Sequence, residues 1–198
     1  EGKVSHPYCL SYCACKDYCL DSFHGCLCKS GDECASDKTC LCRKIKRDCD
    51  PNRCQNCCGQ GLCMNLDISL CKVKKVFTAP SLLSDMFVGL FTAERILQDE
   101  FIVEYSGQTI HGDDYCKLEA FLMDINDNIG RSYTFDVDTE TTVDAINLGN
   151  LMRFANHADQ ELANCTTKIC FAKGSYRAVL VAKRDIAVNE ELTFDYGF

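Results

Sequence analysis

The sequence predicts a mainly β protein with little helix, in which an irregular cysteine-rich region precedes a second domain. Fifteen of the 18 cysteines lie between Cys9 and Cys71, so sulfur organises the first part of the chain. Short β-rich runs recur later, at 101–105, 131–145 and 177–186, and each has the composition of a strand or a hairpin. The two regions therefore differ in what holds them together.

Length and charge bound the class of protein. A chain of 198 residues can hold one full domain and a smaller module, and we expect a cysteine-rich region at 1–75 and a second domain at 76–198. No apolar run approaches the roughly 20 residues of a membrane helix, and the first eight residues are polar, so we predict no membrane segment and no signal peptide. The net charge of −8 argues against a protein that mainly coats nucleic acid. It suits a protein with a basic partner, or it serves only to keep the domain soluble.

The spacing of the cysteines favours metal ligation over disulfides. In an extended segment, a Cys-x-Cys pair points both thiols to one side, toward one ion. A disulfide framework is the alternative, but it belongs to exported proteins, and no export signal is visible. Nearby lysines and arginines would offset the charge of zinc-bound thiolates. The three pairs are Cys13/Cys15, Cys26/Cys28 and Cys40/Cys42.

So dense a run of thiols predicts shared ligands. Three zinc ions need twelve ligand positions, which nine cysteines fill if three of them bridge. Eight of the nine are Cys26, Cys28, Cys34, Cys40, Cys42, Cys49, Cys54 and Cys57, and the ninth is Cys58, Cys63 or Cys71. Closed thiolate shells leave no position for water, so this zinc would be structural and would supply much of the folding free energy.

Five motifs in the second domain carry a resemblance to a known family. They are Phe-Val-Gly-Leu-Phe at 87–91, Glu-Tyr-Ser-Gly at 104–107, Tyr-Thr-Phe-Asp-Val-Asp at 133–138, Gly-Asn-Leu-Met-Arg-Phe-Ala-Asn-His at 149–157 and Glu-Glu-Leu-Thr-Phe-Asp-Tyr at 190–196. Their order and spacing resemble those of SET-domain lysine methyltransferases. The resemblance implies a fold of short β-sheets around a pseudoknot, in which the Asn-His segment threads beneath a loop formed by the chain's end.

The same resemblance implies a site for S-adenosylmethionine. In the family, the Asn-His segment binds the amino-acid moiety of this cofactor, and a glycine-containing segment lies against it. The matching positions here are Phe87, Val88, Gly89, Tyr105, Arg153, Phe154, Asn156, His157 and Tyr196. This chain departs from the family at Phe87, which replaces a glycine and whose Cβ obstructs close approach. Gln108 replaces a usual glutamate, and Ala163 replaces the proline that precedes Asn164-Cys165.

The resemblance also implies the catalytic residues. Tyr196 matches the central catalytic tyrosine, while Tyr105 and Tyr133 match residues that line the lysine channel and the substrate side. Phe194 takes the position whose identity as Phe or Tyr governs how many methyl groups are added. Phenylalanine omits a water-binding hydroxyl, so it predicts di- and trimethylation. Apolar residues spaced like one helix face at 113–128 are assigned to packing.

The cysteine-rich region is similar to the CXC region that precedes the catalytic domain in Enhancer-of-zeste proteins. Its internal repeat, Cys-x-Cys-Lys at Cys13 and again at Cys26, supports this match. The resemblance implies that an upstream group belongs to a second cluster whose first ligands precede Glu1. That group comprises Cys9, Cys13, Cys15 and Cys19. A basic cluster either contacts DNA, as CXC modules do elsewhere, or neutralises the thiolates, and it comprises Arg43, Lys44, Lys46, Arg47 and Arg53.

The Enhancer-of-zeste resemblance implies a nuclear enzyme that methylates lysine 27 of histone H3 on the nucleosome. It would act in a Polycomb-type repressive complex with WD-repeat and zinc-finger subunits. One alternative is a histone H3 lysine 9 methyltransferase, whose pre-SET region also holds a nine-cysteine, three-zinc cluster. The other is a non-catalytic, zinc-held chromatin or DNA binder with a degenerate SET domain.

Overall fold

The computed structural model describes 22–29, 39–44, 49–50, 53–55, 67–68, 70–83, 86–112, 114, 133–172 and 175–197. The chain divides into two compact units, one of residues 1–72 with 170–175 and one of residues 73–169 with 176–198. The segment predicted to be helical, 113–128, lies outside the described residues except for Asp114. Across the described ranges, no helix has the length and apolar character needed to span a membrane.

Ten strands are present in the described part of the chain. They are β1 (Val76–Pro80), β2 (Val88–Thr92), β3 (Phe101–Glu104), β4 (Gln108–His111), β5 (Thr134–Asp138), β6 (Thr141–Asp144), β7 (Asn156–His157), β8 (Cys165–Ala172), β9 (Ser175–Ala182) and β10 (Glu191–Phe194). They form three small sheets with the strand orders β1-β2-β10-β7, β3-β9-β8 and β4-β6-β5. Described helical structure is confined to α1 (Leu41–Lys44), the 3-10 helix Leu151–Phe154 and isolated helical positions.

The predicted fold class, mainly β with little helix and a SET-type fold, is confirmed. The predicted strand at 101–105 is β3, and the predicted pair around a polar turn at 131–145 is the antiparallel pair β5–β6. The apolar run 177–186 forms most of β9. These runs were predictable because β-branched and aromatic residues suit a pleated, half-buried surface.

The larger unit has a core of aliphatic side chains contributed by its central strands. Leu90 on β2, Ile102 on β3, Leu180 on β9 and Leu192 on β10 are all fully buried, as is Met152 in the 3-10 helix. Burying an aliphatic side chain of this size contributes about 1.5–3 kcal/mol. Every residue of β10 is buried.

Two turns of the same construction lead into β3 and β10. Asp99 and Asn189 occupy the left-handed region, with φ of 65° and 64°, which short polar side chains tolerate. In each turn the next residue closes the loop with its carboxylate, Glu100 on the Leu97 N–H and Glu190 on the Ala187 N–H. An isolated antiparallel bridge joins Ile96 to Ile186, so the two turns lie side by side.

Asn164 ties the start of β8 to the closing strand β10. Its side chain is buried, donates to the carbonyl oxygen of Glu191 at 2.7 Å and accepts from the Thr193 N–H at 2.9 Å. The adjacent Cys165 thiol donates to the same Asn164 oxygen at 3.3 Å, and burial raises the pKa of Cys165 to about 12. Asn164 thus bonds two main-chain groups of β10.

We predict that Asn164→Ala lowers the free energy of unfolding by about 2–4 kcal/mol, because it strands two buried main-chain groups of β10. Denaturant unfolding monitored by circular dichroism measures this loss. The control is Gln160→Ala, an exposed position in the turn before β8, which should change the same quantity by less than about 0.5 kcal/mol. Equal stability of the two variants would show that Asn164 does not hold β10.

Candidate active site and cysteine centre

The two most specific sequence motifs meet through a short parallel pairing of β7 with β10. Thr193 lies opposite Asn156, and Phe194 lies opposite His157. The Ala158 N–H extends the pairing by donating to the carbonyl oxygen of Phe194 at 3.2 Å. Residues nearly 40 positions apart in the sequence are thereby fixed side by side.

The side chain of Asn156 is buried with one end satisfied and the other open. Its Nδ2 donates to the carbonyl oxygen of Val88 at 2.9 Å, to Glu191 Oε1 at 3.1 Å and to Ser81 Oγ at 3.2 Å. Among the described residues, no donor reaches the Oδ1 atom. A buried acceptor is normally paired, so this oxygen fits a ligand that brings an N–H group, as the amino-acid end of S-adenosylmethionine does.

Glu191 is a buried carboxylate that organises the residues around Asn156. Besides the Asn156 amide, it accepts from Ser81 Oγ at 2.7 Å and from the Leu82 N–H at 2.7 Å. Gly89 makes room for it, since a Cβ at that position would lie 2.1 Å from Glu191 Oε1. The glycine predicted to face the cofactor is therefore required by a protein carboxylate.

Three aromatic rings surround the β7–β10 junction. The Tyr196 ring lies 4.7 Å from that of Phe194 and 5.3 Å from that of His157. The Tyr196 hydroxyl donates to the carbonyl oxygen of Ala155 at 2.7 Å, and its main-chain N–H donates to His157 Nδ1 at 3.2 Å. Burial raises the pKa of Tyr196, and the nearby Tyr133 adds to the effect. Tyr196 therefore remains a neutral phenol.

Tyr105 is a buried phenol with the same kind of partner as the more exposed Tyr196. Its hydroxyl donates to the carbonyl oxygen of Tyr133 at 2.7 Å, and its ring packs 5.5 Å from that of Phe135. Burial, together with the nearby Tyr196, raises the pKa of Tyr105 far above the usual range. In both tyrosines the hydroxyl proton is donated to a main-chain carbonyl oxygen, so toward a further donor the phenol oxygen can act only as an acceptor.

Arg153 joins the 3-10 helix to the segment that carries Tyr133. Its guanidinium lies 5.8 Å from the centre of the Tyr133 ring and 4.9 Å from that of Phe154, as in cation–π contacts. It also donates to the carbonyl oxygen of Ala145 at 2.9 Å. Arg153 therefore supports the aromatic residues with contacts to protein groups.

Phe87 and Val88 have exposed side chains, although the carbonyl oxygen of Val88 accepts from Asn156. The Phe87 side chain is 80% exposed and Val88 is 36% exposed, at the end of the β1–β2 connection. Leu82, in the same connection, is 78% exposed. The residue that replaces the family's glycine thus forms part of an exposed apolar surface next to the Asn156–Glu191 network.

The cysteine-rich unit brings six of the predicted ligands together around one fully buried aromatic residue, Phe23. The sulfur atoms of Cys26, Cys42, Cys49 and Cys54 all lie within 4.8 Å of one another, and so do those of Cys26, Cys28 and Cys40. Cys26 belongs to both groups, as expected for a bridging thiolate.

The distances within the first group suit a metal and not a disulfide. Cys42 Sγ lies 3.5 Å from Cys54 Sγ, and Cys26 Sγ lies 3.9 Å from Cys49 Sγ. Tetrahedral zinc with bonds of about 2.3 Å separates its sulfur ligands by about 3.8 Å, whereas a disulfide bond is about 2.05 Å long. The group can therefore hold a metal ion.

Hydrogen bonds prepare one thiol of this group as a thiolate. Bonds from the Cys42 and Cys49 thiols lower the pKa of Cys54, and the N–H groups of Cys26 and Asp50 donate to the same sulfur at 3.4 and 3.3 Å. Deprotonation is what metal ligation requires of a cysteine.

The remaining predicted ligands divide into two sets. Cys71 is exposed and lies in neither group that the described residues form. Cys9, Cys13, Cys15, Cys19, Cys34, Cys57, Cys58 and Cys63 lie outside the described residues. Of the predicted basic cluster, the structure describes the side chains of Lys44 and Arg53 only.

The roles of Ser81 and Glu191 were not predicted from the sequence motifs. Ser81 lies in no predicted motif, and Glu191 belongs to the closing motif but had no assigned role. The local sequence did not single out Glu191, which follows Asn189 and Glu190 and is the first residue of β10. Its partners could not be read from the sequence because they lie about 110 residues away.

Comparison with known proteins identifies the family. The SET domain family matches residues 88–197. The histone-lysine N-methyltransferase MEDEA of Arabidopsis thaliana is 33% identical over 202 residues, covering 96% of this chain and 28% of that protein. The histone-lysine N-methyltransferase mes-2 of Caenorhabditis elegans is 33% identical, covering 96% of this chain and 24% of that protein. The chain thus spans about a quarter of the length of these relatives.

Solved structures agree with the sequence relatives. The crystal structure of the Chaetomium thermophilum polycomb repressive complex 2 matches with a TM-score of 0.70 and 30% identity, over 96% of this chain and 26% of that chain. A structure described as ctPRC2 in an autoinhibited conformation bound to S-adenosylmethionine matches with a TM-score of 0.74 and 30% identity, over the same shares. With its cysteine-rich region and its β7–β10 junction, this chain belongs to the SET-domain family and to the Enhancer-of-zeste type within it.

Proposed function

We propose that this chain is the catalytic part of an S-adenosylmethionine-dependent protein-lysine methyltransferase. The observation that carries the proposal is the β7–β10 pairing, which places the open oxygen of Asn156 on the same junction as the Tyr196 phenol. Its relatives are named as histone-lysine N-methyltransferases, which supports the same reaction here. Tyr105, Tyr133, Phe194 and Tyr196 are proposed as the residues that surround the reacting lysine.

The cofactor site would be formed around the β7–β10 junction. When bound, S-adenosylmethionine would supply a methyl group activated by its sulfonium charge. Asn156 and His157 would hold its amino-acid end, and Gly89 with its neighbours Phe87 and Val88 would flank it. Tyr105, Arg153, Phe154 and Tyr196 would complete the site, with Arg153 acting mainly through its support of the aromatic rings.

The aromatic residues would prepare the lysine amine for reaction. A lysine has a reference pKa of about 10.4, so only about one in a few thousand is neutral near pH 7. Apolar ring faces disfavour the ammonium form and lower the pKa of the bound amine. The Tyr105 and Tyr196 oxygens, whose protons are donated to main-chain carbonyls, would accept from the amine and orient its own lone pair. Positioning and exclusion of water would then supply most of the rate.

Histone H3 lysine 27 is the proposed target, within a Polycomb-type repressive complex in the nucleus. The named relatives and the polycomb complexes among the similar structures support this assignment. The net charge of −8 suits a basic histone tail. WD-repeat and zinc-finger subunits are the proposed partners, and DNA is a proposed contact of the cysteine-rich region. Phe194 supports addition of more than one methyl group.

A non-catalytic chromatin binder with a degenerate SET domain is the second candidate. The exposed Phe87, in place of the family's glycine, is the observation in its favour. Against it stand the buried Asn156 network and the two neutral phenols, which a pure binding module does not need. Methyl transfer itself therefore decides between the two functions.

Zinc is the proposed metal of the cysteine-rich unit. Four thiols at tetrahedral spacing, with a fifth and sixth joined through Cys26, are the donor set that zinc prefers in structural sites. Three zinc ions, with part of a second cluster upstream, remain the proposed content. Such a centre would contribute stability and no step of the reaction.

We predict that Tyr196→Phe lowers the rate of methyl transfer at least about 100-fold, because the substrate loses a fixed oxygen acceptor. The measurement is transfer of a labelled methyl group to nucleosomes by the full-length protein with its partners. Tyr176→Phe on β9 makes the same chemical change elsewhere in the larger unit and should retain activity. A fully active Tyr196→Phe variant would contradict the mechanism.

We predict that recombinant nucleosomes treated with this complex carry new methyl groups on lysine 27 of histone H3. Mass spectrometry of the histone peptides locates and counts them, beside the Tyr196→Phe variant. Methylation of lysine 9 would keep the reaction and change the substrate. An intact, metal-loaded complex that methylates nothing would favour the binding module.

We predict that Cys26→Ser lowers the bound zinc by about one ion or more per chain, because Cys26 belongs to both groups of thiols. Inductively coupled plasma mass spectrometry of the purified protein gives the zinc content. Cys71→Ser is the matched control and should keep the content of the unaltered protein. Loss of zinc from Cys71→Ser would instead make Cys71 the ninth ligand.

A further inference from the structure

We propose that Glu191 is a positioning residue for cofactor recognition: its carboxylate fixes the orientation of the Asn156 amide, so that the Asn156 oxygen receives the α-ammonium group of the cofactor. This inference rests on the proposed function, because it names the contact by which that site selects its ligand. Glu191 acts through Asn156 and touches neither cofactor nor substrate.

The orientation of an asparagine amide depends on its partners, because its oxygen and its NH2 group have nearly the same size. Around Asn156 Nδ2 lie a carbonyl oxygen, of Val88 at 2.9 Å, and a carboxylate oxygen, of Glu191 at 3.1 Å. Both groups only accept hydrogen bonds. The NH2 group must therefore face them, and the Asn156 oxygen must face the opposite way. The Ser81 hydroxyl donates its one proton to Glu191, so toward Asn156 it is also an acceptor and favours the same orientation.

Glu191 is held firmly enough to impose this choice. It is 7% exposed, and its two oxygens accept from the Ser81 hydroxyl and the Leu82 N–H, both at 2.7 Å. Hydrogen bonds to a charged acceptor are stronger than neutral ones, and burial strengthens them further. The absence of a Cβ at Gly89 leaves the carboxylate its place against β2. One buried group thus fixes both the start of the β1–β2 connection and the Asn156 amide.

The Asn156 oxygen that faces the ligand selects which chemical group can bind there. A carbonyl oxygen accepts hydrogen bonds, so it favours a ligand group that can only donate, such as a protonated amino group. A ligand carboxylate at the same point would place one hydrogen-bond acceptor against another, the Asn156 oxygen. This selection therefore distinguishes ligands by the presence of the α-amino group.

Glu191→Gln should remove this selection for an amino group while the shape of the side chain at position 191 changes little. One of its two terminal atoms must remain an acceptor for the Leu82 N–H, so the new NH2 group takes the place of Oε1. There it opposes the NH2 group of Asn156, which must turn over or lose this partner. In either case the Asn156 oxygen no longer faces the ligand with fixed geometry.

The test compares two ligands that differ only in the α-amino group: S-adenosylhomocysteine and its deamino analogue. Isothermal titration calorimetry of the full-length protein should show that the unaltered protein prefers S-adenosylhomocysteine by about 10- to 100-fold. In Glu191→Gln this preference should fall at least about tenfold, with little change for the deamino analogue. Partial unfolding lowers the number of binding sites but leaves the ratio of the two affinities unchanged.

Glu190→Gln is the matched control, because Glu190 bonds Arg184 and Asn164 and does not contact Asn156. It should keep the preference of the unaltered protein. If Glu191→Gln also keeps that preference, or weakens both ligands equally, Glu191 has only a structural role and the inference is overturned. If the unaltered protein binds no S-adenosylhomocysteine, the proposed function is wrong, and this inference, which depends on it, is overturned as well.

Discussion

The site depends on one short parallel pairing, that of β7 with β10. Two residues of each strand are involved, yet the pairing fixes Asn156 against Thr193 and His157 against Phe194. Parallel neighbours need a long connection between them, and here that connection contains β8 and β9. The hairpin they form packs its buried face into the core, with Ala178 to Ala182 almost fully buried. The geometry of the junction is therefore set by the packing of the whole larger unit.

Much of this arrangement was predictable from the sequence, for identifiable reasons. The strands of the larger unit are short β-rich runs, and the two central motifs carry enough specific residues to identify the family. The network around Glu191 was not predictable, because its donors at Ser81 and Leu82 come from a connection with no motif. The same is true of Asn164, whose partners are main-chain groups of β10 and leave no trace in composition. Side chains that bond main-chain groups across long sequence distances escape any reading of local pattern.

The two units are stabilised by different physical means. The larger one buries aliphatic side chains from three sheets, so its stability is spread over many contacts. In the smaller one, the buried cluster in the described part of the chain consists of Phe23 and six cysteines, which is little apolar surface for an ordinary core. Its sulfur atoms are instead already gathered at ligand spacing. A substitution in the larger unit removes a share of its stability. A substitution in the cysteine-rich unit can remove the centre around which the rest of that unit folds.

The buried thiol of Cys165 gives the closing strand a built-in reporter. A pKa of about 12 keeps it protonated and slow to react with alkylating reagents at neutral pH. Its partner is the Asn164 oxygen, which also receives the Thr193 N–H of β10. Movements that separate β8 from β10 would expose the sulfur to water and restore ordinary reactivity. The rate at which this one cysteine is labelled therefore measures how often β8 and β10 separate.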